Sequence, residues 1–239
     1  MEIIVKQNPS ILSEALAEWI TSFIESTLAK QDRFTWVVTG GNSPKELYKR
    51  LSEAPYSERI EWDRIHIFWG DERAVPFEDD RNNARMTHET LLNHVPIPKE
   101  NIHIMDTSLE PEAAALEYEK TILHYCGEDS VFDLVLNGMG DDGHTLSLFP
   151  NTVAVHENMR NVFAFWLDAQ NMYRITLTAP LVNKARRIAF LTFGANKAEA
   201  LYQVIQGERN VDQYPSQIIQ PLNGELYWFI DEAAAAKLS

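Results

Sequence analysis

Residues Phe132 to Pro150 read F-D-L-V-L-N-G-M-G-D-D-G-H-T-L-S-L-F-P. Phe132 to Leu136 is a short apolar run of buried-strand character. It breaks into Gly138 and Gly140, followed by Asp141, Asp142, Gly143 and His144. Glycines packed this closely describe a tight chain reversal, because glycine tolerates positive φ and close backbone approach. An open α/β sheet keeps its chemistry at such strand ends. A second glycine turn, Thr39-Gly40-Gly41-Asn42-Ser43-Pro44, follows another apolar run, Phe34 to Val38. Together they imply one site assembled from several strand ends.

Outward from these turns, the chain alternates strand and helix patterns. Ile3–Val5, Ile65–Trp69, Arg187–Phe193 and Leu226–Ile230 read as further strands, and Asn101–Met105 as a shorter one. Asn161–Trp166 and Tyr173–Thr178 are β-rich and partly alternating. Pro9-Ser10 opens a helix whose apolar residues, from Ile11 to Leu28, recur at three- and four-residue steps. Ser43 is expected to cap the next helix, with Pro44 in its first turn and Leu47, Tyr48 and Leu51 facing inward. Asn82–Leu92, Pro111–Tyr125, a short segment at Pro180-Leu181 and Lys197–Ile205 complete the helices, and the segments around Ala54-Pro55 and from Asn93 read as loops. Strands separated by helices predict a mostly parallel α/β sheet covered by helices on both faces. No linker cuts the chain, so residues 1–239 are expected to form a single domain.

The chain is 45% hydrophobic, enough to bury a full core. Its formal net charge of -14 argues against a partner recognised through a nucleic-acid backbone. It does not exclude an anionic substrate, since binding follows the local field of a cleft and not the sum over the surface. Such a cleft would need a cluster of Arg and Lys standing out against an acidic body. Cys126 is the only cysteine, so no disulfide forms within the chain. Met1 to Lys6 lacks the form of a secretory signal, and no apolar run is long enough for a membrane span. The expected location is cytoplasmic, without a membrane partner.

His144 is the candidate general base, since an imidazole titrates at roughly 6.5 and offers a neutral form near physiological pH. Asp142 or Asp141 would orient it. Gly138, Gly140 and Gly143 are candidate oxyanion donors through their outward N–H groups. An ordinary strand-to-helix turn would account for the glycines but not for a histidine and two acids inside the same turn. The glycines fit a G-x-G-x-x-G spacing, yet the turn lies mid-chain, carries acids where a pyrophosphate would pass, and lacks the ribose-binding acid. No second histidine stands at zinc-ligand spacing. Thr39, Gly40, Gly41, Asn42 and Ser43 have the composition of a phosphate cradle at a helix start, without the G-K-[ST] ending of an ATP site. In Gly70-Asp71-Glu72-Arg73 the charges either pair at the surface or send Arg73 toward an anion. Arg174 and Lys197 are further candidates to complete an anion pocket. Ser147 lacks a G-x-S-x-G elbow and Cys126 lies outside the turn, so no covalent nucleophile is called for.

T-G-G-N-S-P at 39–44, G-D-E-R at 70–73, N-G-M-G-D-D-G-H-T-L-S-L-F-P at 137–150, R-I-T-L-T at 174–178, the Gly194–Lys197 segment and the P-L-N-G-E-L-Y-W-F-I-D ending at 221–231 occur in one order. In that order they resemble the 6-phosphogluconolactonase family, over nearly the whole chain. The resemblance implies an open Rossmann-like sheet of the sugar-phosphate isomerase and deaminase type. It implies hydrolysis of 6-phospho-D-glucono-1,5-lactone to 6-phosphogluconate, in the oxidative pentose phosphate pathway, with no metal or organic cofactor. By that likeness His144 is the base, held by Asp142, and the phosphate is gripped by the Thr39–Ser43 loop with Arg73, Arg174 and Lys197. The expected partner is a phosphorylated sugar lactone, and the expected state a monomer or weak homodimer. Two positions depart from the pattern: Asn42, where a smaller residue is expected, and Asp141, where Pro or Glu is common. The rival within the same architecture is an amino-sugar-phosphate deaminase and isomerase. Such enzymes carry Glu before the proline, where this chain has Phe149. A rival of another class is a non-catalytic sugar-phosphate sensor, against which the absence of a helix-turn-helix segment weighs.

Overall fold

The computed structural model describes residues 1–239. Its strands and helices are β1 (Glu2–Lys6), α1 (Pro9–Leu28), β2 (Phe34–Val38), α2 (Lys45–Leu51), α3 (Tyr56–Arg59), β3 (Ile65–Trp69), β4 (Asp71–Arg73), α4 (Asn83–Thr90), β5 (Ile102–His103), α5 (Pro111–Cys126), β6 (Leu134–Gly138), β7 (Val162–Leu167), β8 (Met172–Leu177), α6 (Ala179–Val182), β9 (Arg187–Thr192), α7 (Ala198–Ile205) and β10 (Glu225–Asp231). Seven strands form a parallel sheet in the order β1-β10-β9-β6-β2-β3-β5. From β2 the chain builds outward through β3 and β5, then returns to lay β6 on the other side of β2. The order of the sheet therefore reverses between β2 and β6. In open α/β sheets a ligand crevice forms at the carboxyl ends of the strands where this happens. Both glycine turns leave the sheet at that point.

The central strands form because their residues suit burial on both faces. In β2, Trp36 and Val38 face a core built with α1, α2 and α4 (Leu12, Leu16, Leu47, Met86). Val37 faces the opposite core, shared with Val135 of β6, Tyr118 and Ile122 of α5, and Leu201 of α7. The parallel, two-sided sheet is as expected.

One face differs from expectation. Besides helices it carries a second, antiparallel sheet in the order β4-β8-β7. Asp71, Glu72 and Arg73 do not simply end β3. They form their own strand, in register with Thr176, Ile175 and Arg174. The break falls at Gly70, whose N–H donates to the Val38 carbonyl (3.1 Å) and whose carbonyl accepts from the Leu177 N–H (2.8 Å). Gly70 thus bridges the two sheets.

Helix starts also differ in detail. The α1 cap is Asn8, whose side chain accepts from the N–H groups of Ser10 and Ile11. The expected Ser43 cap is absent: α2 begins at Lys45, with Pro44 before it and no side-chain capping bond. The Ser43 hydroxyl is thereby left uncommitted in the loop. Asn82 caps α4 through the Arg85 N–H. No helix is long and apolar enough to cross a membrane.

Candidate active site

A cleft of about 230 Å³ opens at the carboxyl ends of β2 and β6. It is lined by Thr39, Gly40, Gly41, Asn42, Ser43, Arg73, Gly138, Gly140, His144, Arg174 and Lys197, all singled out from sequence. Asp71, Asn83, Met139, Leu146, Phe149 and Gln170 join them. Asp142 and Gly143 stand behind this lining. The titratable residues lining the cleft, His144 apart, are three cations against one carboxylate, in a chain of net charge -14. The local field is positive where the bulk is negative.

The turn after β6 is shaped to hold one side chain. The Gly140 N–H donates to the His144 carbonyl (2.8 Å) and the Gly143 N–H to the Gly140 carbonyl (3.2 Å). Thr145 Oγ1 donates to the Gly138 carbonyl (2.8 Å). A Cβ at Gly140 would collide with the His144 ring and the Asp142 carboxylate, so only glycine lets that pair close over the turn. His144 Nδ1 lies 2.5 Å from Asp142 Oδ1, which also accepts the His144 backbone N–H (3.0 Å). A carboxylate only accepts, so Nδ1 carries the hydrogen, and in the neutral ring the lone pair is on Nε2. Asp142 is the orienting acid of the two, since it alone bonds His144. Burial pushes the Asp142 carboxyl up, but hydrogen bonding and charge from His144 outweigh it and hold the carboxyl below its ordinary value. The His144 ring stacks on Phe149 at 4.2 Å.

These bonds correct one expectation. The N–H groups of Gly140 and Gly143 are spent inside the turn, and so do not stand free as oxyanion donors. Gly138 belongs to β6, in register with Leu191.

The loop after β2 is the reverse case. The Tyr48 hydroxyl takes both the N–H (3.0 Å) and the carbonyl (2.7 Å) of Thr39, fixing where the loop leaves the sheet. Beyond it the N–H groups of Gly40, Gly41, Asn42 and Ser43 have no partner in the chain. Successive free N–H groups of this kind form an anion-binding concavity.

The third wall is the small sheet. Arg174 is 2% exposed, and its guanidinium bonds Asp71 Oδ2 (2.5 Å) and Gln170 Oε1 (2.9 Å). Ser147 Oγ donates to the same Asp71 oxygen (2.5 Å), tying the histidine turn to β4. Burial pushes the Asp71 carboxyl up, but the charges of Arg174 and Arg73 and the bonds from Ser147 and Arg174 hold it below the carboxylate range. Arg73 bonds the Arg81 carbonyl (3.0 Å) and Asn83 Oδ1 (2.5 Å) and meets no carboxylate. Lys197 likewise has no ion-pair partner. Its loop is anchored by buried Asp231, which accepts from the N–H groups of Gly194 (3.0 Å) and Ala234 (2.8 Å). Of the three cations, Arg73 and Lys197 have charge uncommitted to the fold, and Arg174 does not.

Within G-D-E-R, the charges do not pair with one another at the surface, and Arg73 is turned to the cleft. Asp71 neutralises Arg174, and Glu72 is buried. Sequence reasoning did not bring Asn83 or Phe149 into the site. Asn82-Asn83 carries the pattern of a helix cap, and a phenylalanine within L-F-P that of core. No group of three or more His, Cys, Asp or Glu is placed to hold a metal ion.

The model of the glucosamine-6-phosphate isomerase/6-phosphogluconolactonase family matches residues 7–228. A Synechocystis protein named 6-phosphogluconolactonase is 39% identical over 236 residues, covering 97% of this chain and 95% of the relative. A Nostoc protein of the same name is 40% identical, covering 92% and 91%. Among solved structures, 6-phosphogluconolactonase from Trypanosoma cruzi superposes with a TM-score of 0.89 at 27% identity, over 100% of this chain and 97% of that one.

Proposed function

The chain belongs to the glucosamine-6-phosphate isomerase/6-phosphogluconolactonase family, and from that premise we propose that it hydrolyses 6-phospho-D-glucono-1,5-lactone to 6-phosphogluconate. One observation carries the mechanism: a histidine locked by Asp142 with Nε2 free, on the rim of a cationic cleft. His144 Nε2 takes a proton from water as its oxygen attacks lactone C1. Asp142 keeps the ring in the required tautomer and steadies the imidazolium. The oxyanion at C1 forms in the positive field of the cleft, without donation from Gly140 or Gly143. On collapse the C1–ring oxygen bond breaks, and the imidazolium returns its proton to that oxygen. The phosphate sits at the far end, on the free N–H groups of Gly40 to Ser43 with Arg73 and Lys197. Its grip supplies positioning and remote binding energy.

Phe149, stacked on His144, has no proton to move, which weighs against deamination. Both sheets contribute residues to the cleft, which supports residues 1–239 working as a single domain. The lone Cys126 supports a reducing compartment such as the cytoplasm. The test is acid release from freshly made 6-phosphogluconolactone above its spontaneous opening, with unphosphorylated gluconolactone as control. A strong preference for the phosphorylated lactone is expected. Equal rates, or release of ammonia from glucosamine 6-phosphate instead, would overturn the assignment.

A further inference from the structure

Asn83 is 2% exposed and stands at the first turn of α4, against three parts of the site at once. Its Oδ1 accepts from Arg73 Nη1 (2.5 Å). Its Nδ2 donates to the Asp71 carbonyl (2.8 Å), which fixes the sense of the amide: oxygen to the arginine, nitrogen to β4. A Cβ on Gly40 would overlap the Asn83 amide, so the same side chain packs directly on the loop whose N–H groups are free. Its own backbone is clamped by Glu72, 1% exposed. Glu72 Oε1 accepts the N–H groups of Arg73 (2.9 Å) and Asn83 (2.7 Å), and Oε2 accepts that of Ala84 (2.8 Å). One buried carboxylate thus sets the start of α4 relative to the strand that carries Arg73.

The geometry points to Asn83, seated by Glu72, as the positioning residue that holds the Arg73 guanidinium beside the Gly40–Ser43 loop and so sets preference for a phosphorylated over an unphosphorylated lactone. This rests on the reading of Arg73 as a phosphate contact. A flexible arginine that must be ordered by the ligand loses binding energy. One already ordered by a neutral acceptor keeps its full charge for the anion. Asparagine suits the position because its oxygen orders the arginine without cancelling its charge, as a carboxylate would.

That last point gives a readout that a merely structural role would not move. Asn83→Asp is nearly isosteric with the native side chain, whereas Asn83→Ala removes it. If Asn83 only supported the fold, Asp would be the milder change. Here Asp is the worse one for phosphate, because it pairs with Arg73 and neutralises it.

The experiment measures the ratio of kcat/KM for 6-phosphogluconolactone to that for gluconolactone. It also measures inhibition by inorganic phosphate, in wild type, Asn83→Ala, Asn83→Asp, Arg73→Ala and the Arg73→Ala/Asn83→Ala double variant. Asn83→Ala should lower the ratio by ~10-fold, mostly through KM, as for one lost charge-assisted hydrogen bond. Asn83→Asp should lower it further and weaken phosphate inhibition more than Asn83→Ala does. In the double variant the Asn83 change should add nothing to the loss from Arg73→Ala. Additive losses, or an Asp variant milder than the Ala variant, would overturn the proposal. An unchanged ratio in Arg73→Ala alone would instead overturn the phosphate reading of Arg73. If Asn83→Ala fails to fold, Asn83→Ser takes its place as the truncation against which Asn83→Asp is compared.

Discussion

After β2 the chain turns through Gly40 and Gly41 and leaves four consecutive N–H groups unpartnered. After β6 it turns through Gly138, Gly140 and Gly143 and closes the last two N–H groups on the turn itself. The two loops leave the same switch point of the same sheet and look alike in sequence. Glycine serves different ends in them. In the first it exposes backbone donors to the cleft. In the second it makes room for a side-chain pair, since any Cβ at Gly140 would displace His144 and Asp142. On the proposed function, binding falls to the first loop and chemistry to the second, and the small sheet is tied to the second through Ser147 and Asp71, whose carboxylate also pairs with Arg174.

The strongest way to break this division is at the histidine. His144→Ala should lower kcat by ~10²–10⁴, as for loss of a general base, while inorganic phosphate still competes with substrate as in wild type. Loss of phosphate competition in the same variant would show that the two loops are not separate in function. The cross-tie comes next. Asp71→Ala leaves the Arg174 charge buried without its partner and should cost ~3–5 kcal/mol of stability, read by urea unfolding. A cost under ~1 kcal/mol would mean the ion pair does not hold β4 to β8 within the small sheet.

The anion loop offers a smaller effect. Gly41 has φ of 82°, a conformation that costs an L-residue roughly 1–2 kcal/mol. Gly41→Ala should raise KM for the phosphorylated lactone several-fold and spare kcat. A selective fall in kcat would contradict the division.

The smallest expected effect separates acid loss of activity from acid loss of fold. His66 Nδ1 and His103 Nε2 lie 3.0 Å apart on β3 and β5, outside the cleft. Burial, with the nearby His66 and His124, pushes His103 down to about 4. Burial, with Arg33, also lowers His66. In the unfolded chain these histidines take up protons that the folded chain refuses. Stability should therefore fall as pH drops from roughly 6.5 toward 4. His103→Gln should flatten that fall in Tm and leave the acid limb of kcat in place. A shifted activity limb would tie the two regions together.

Much of the large sheet was legible because strands buried on both faces announce themselves as unbroken aromatic and β-branched runs, as in Phe34 to Val38. Both loops were legible from their glycines. The small sheet was not, because β4 has only Asp71, Glu72 and Arg73, three charges with no strand propensity. It exists through pairing with Arg174, Ile175 and Thr176, about a hundred residues on. The same distance hid the roles of its charges, which depend on Arg174 being buried and Arg73 not. Nor does sequence reveal which glycine N–H groups are spent. Gly140 and Gly143 were read as open donors because the His144 carbonyl that claims one of them is invisible in a residue pattern. Asn83 was legible only as part of the Asn82–Leu92 helix, and its backbone does sit at the start of one. Its side chain is turned to Arg73 and Asp71 because Gly40 leaves room for it.

The most direct measurement is the ratio of kcat/KM for the phosphorylated to the unphosphorylated lactone, taken in His144→Ala and in Arg73→Ala and corrected for spontaneous opening. The expected result is that His144→Ala depresses both substrates together and keeps the ratio, while Arg73→Ala collapses it. A ratio lost with the histidine and kept without the arginine would contradict the separation of chemistry from phosphate grip.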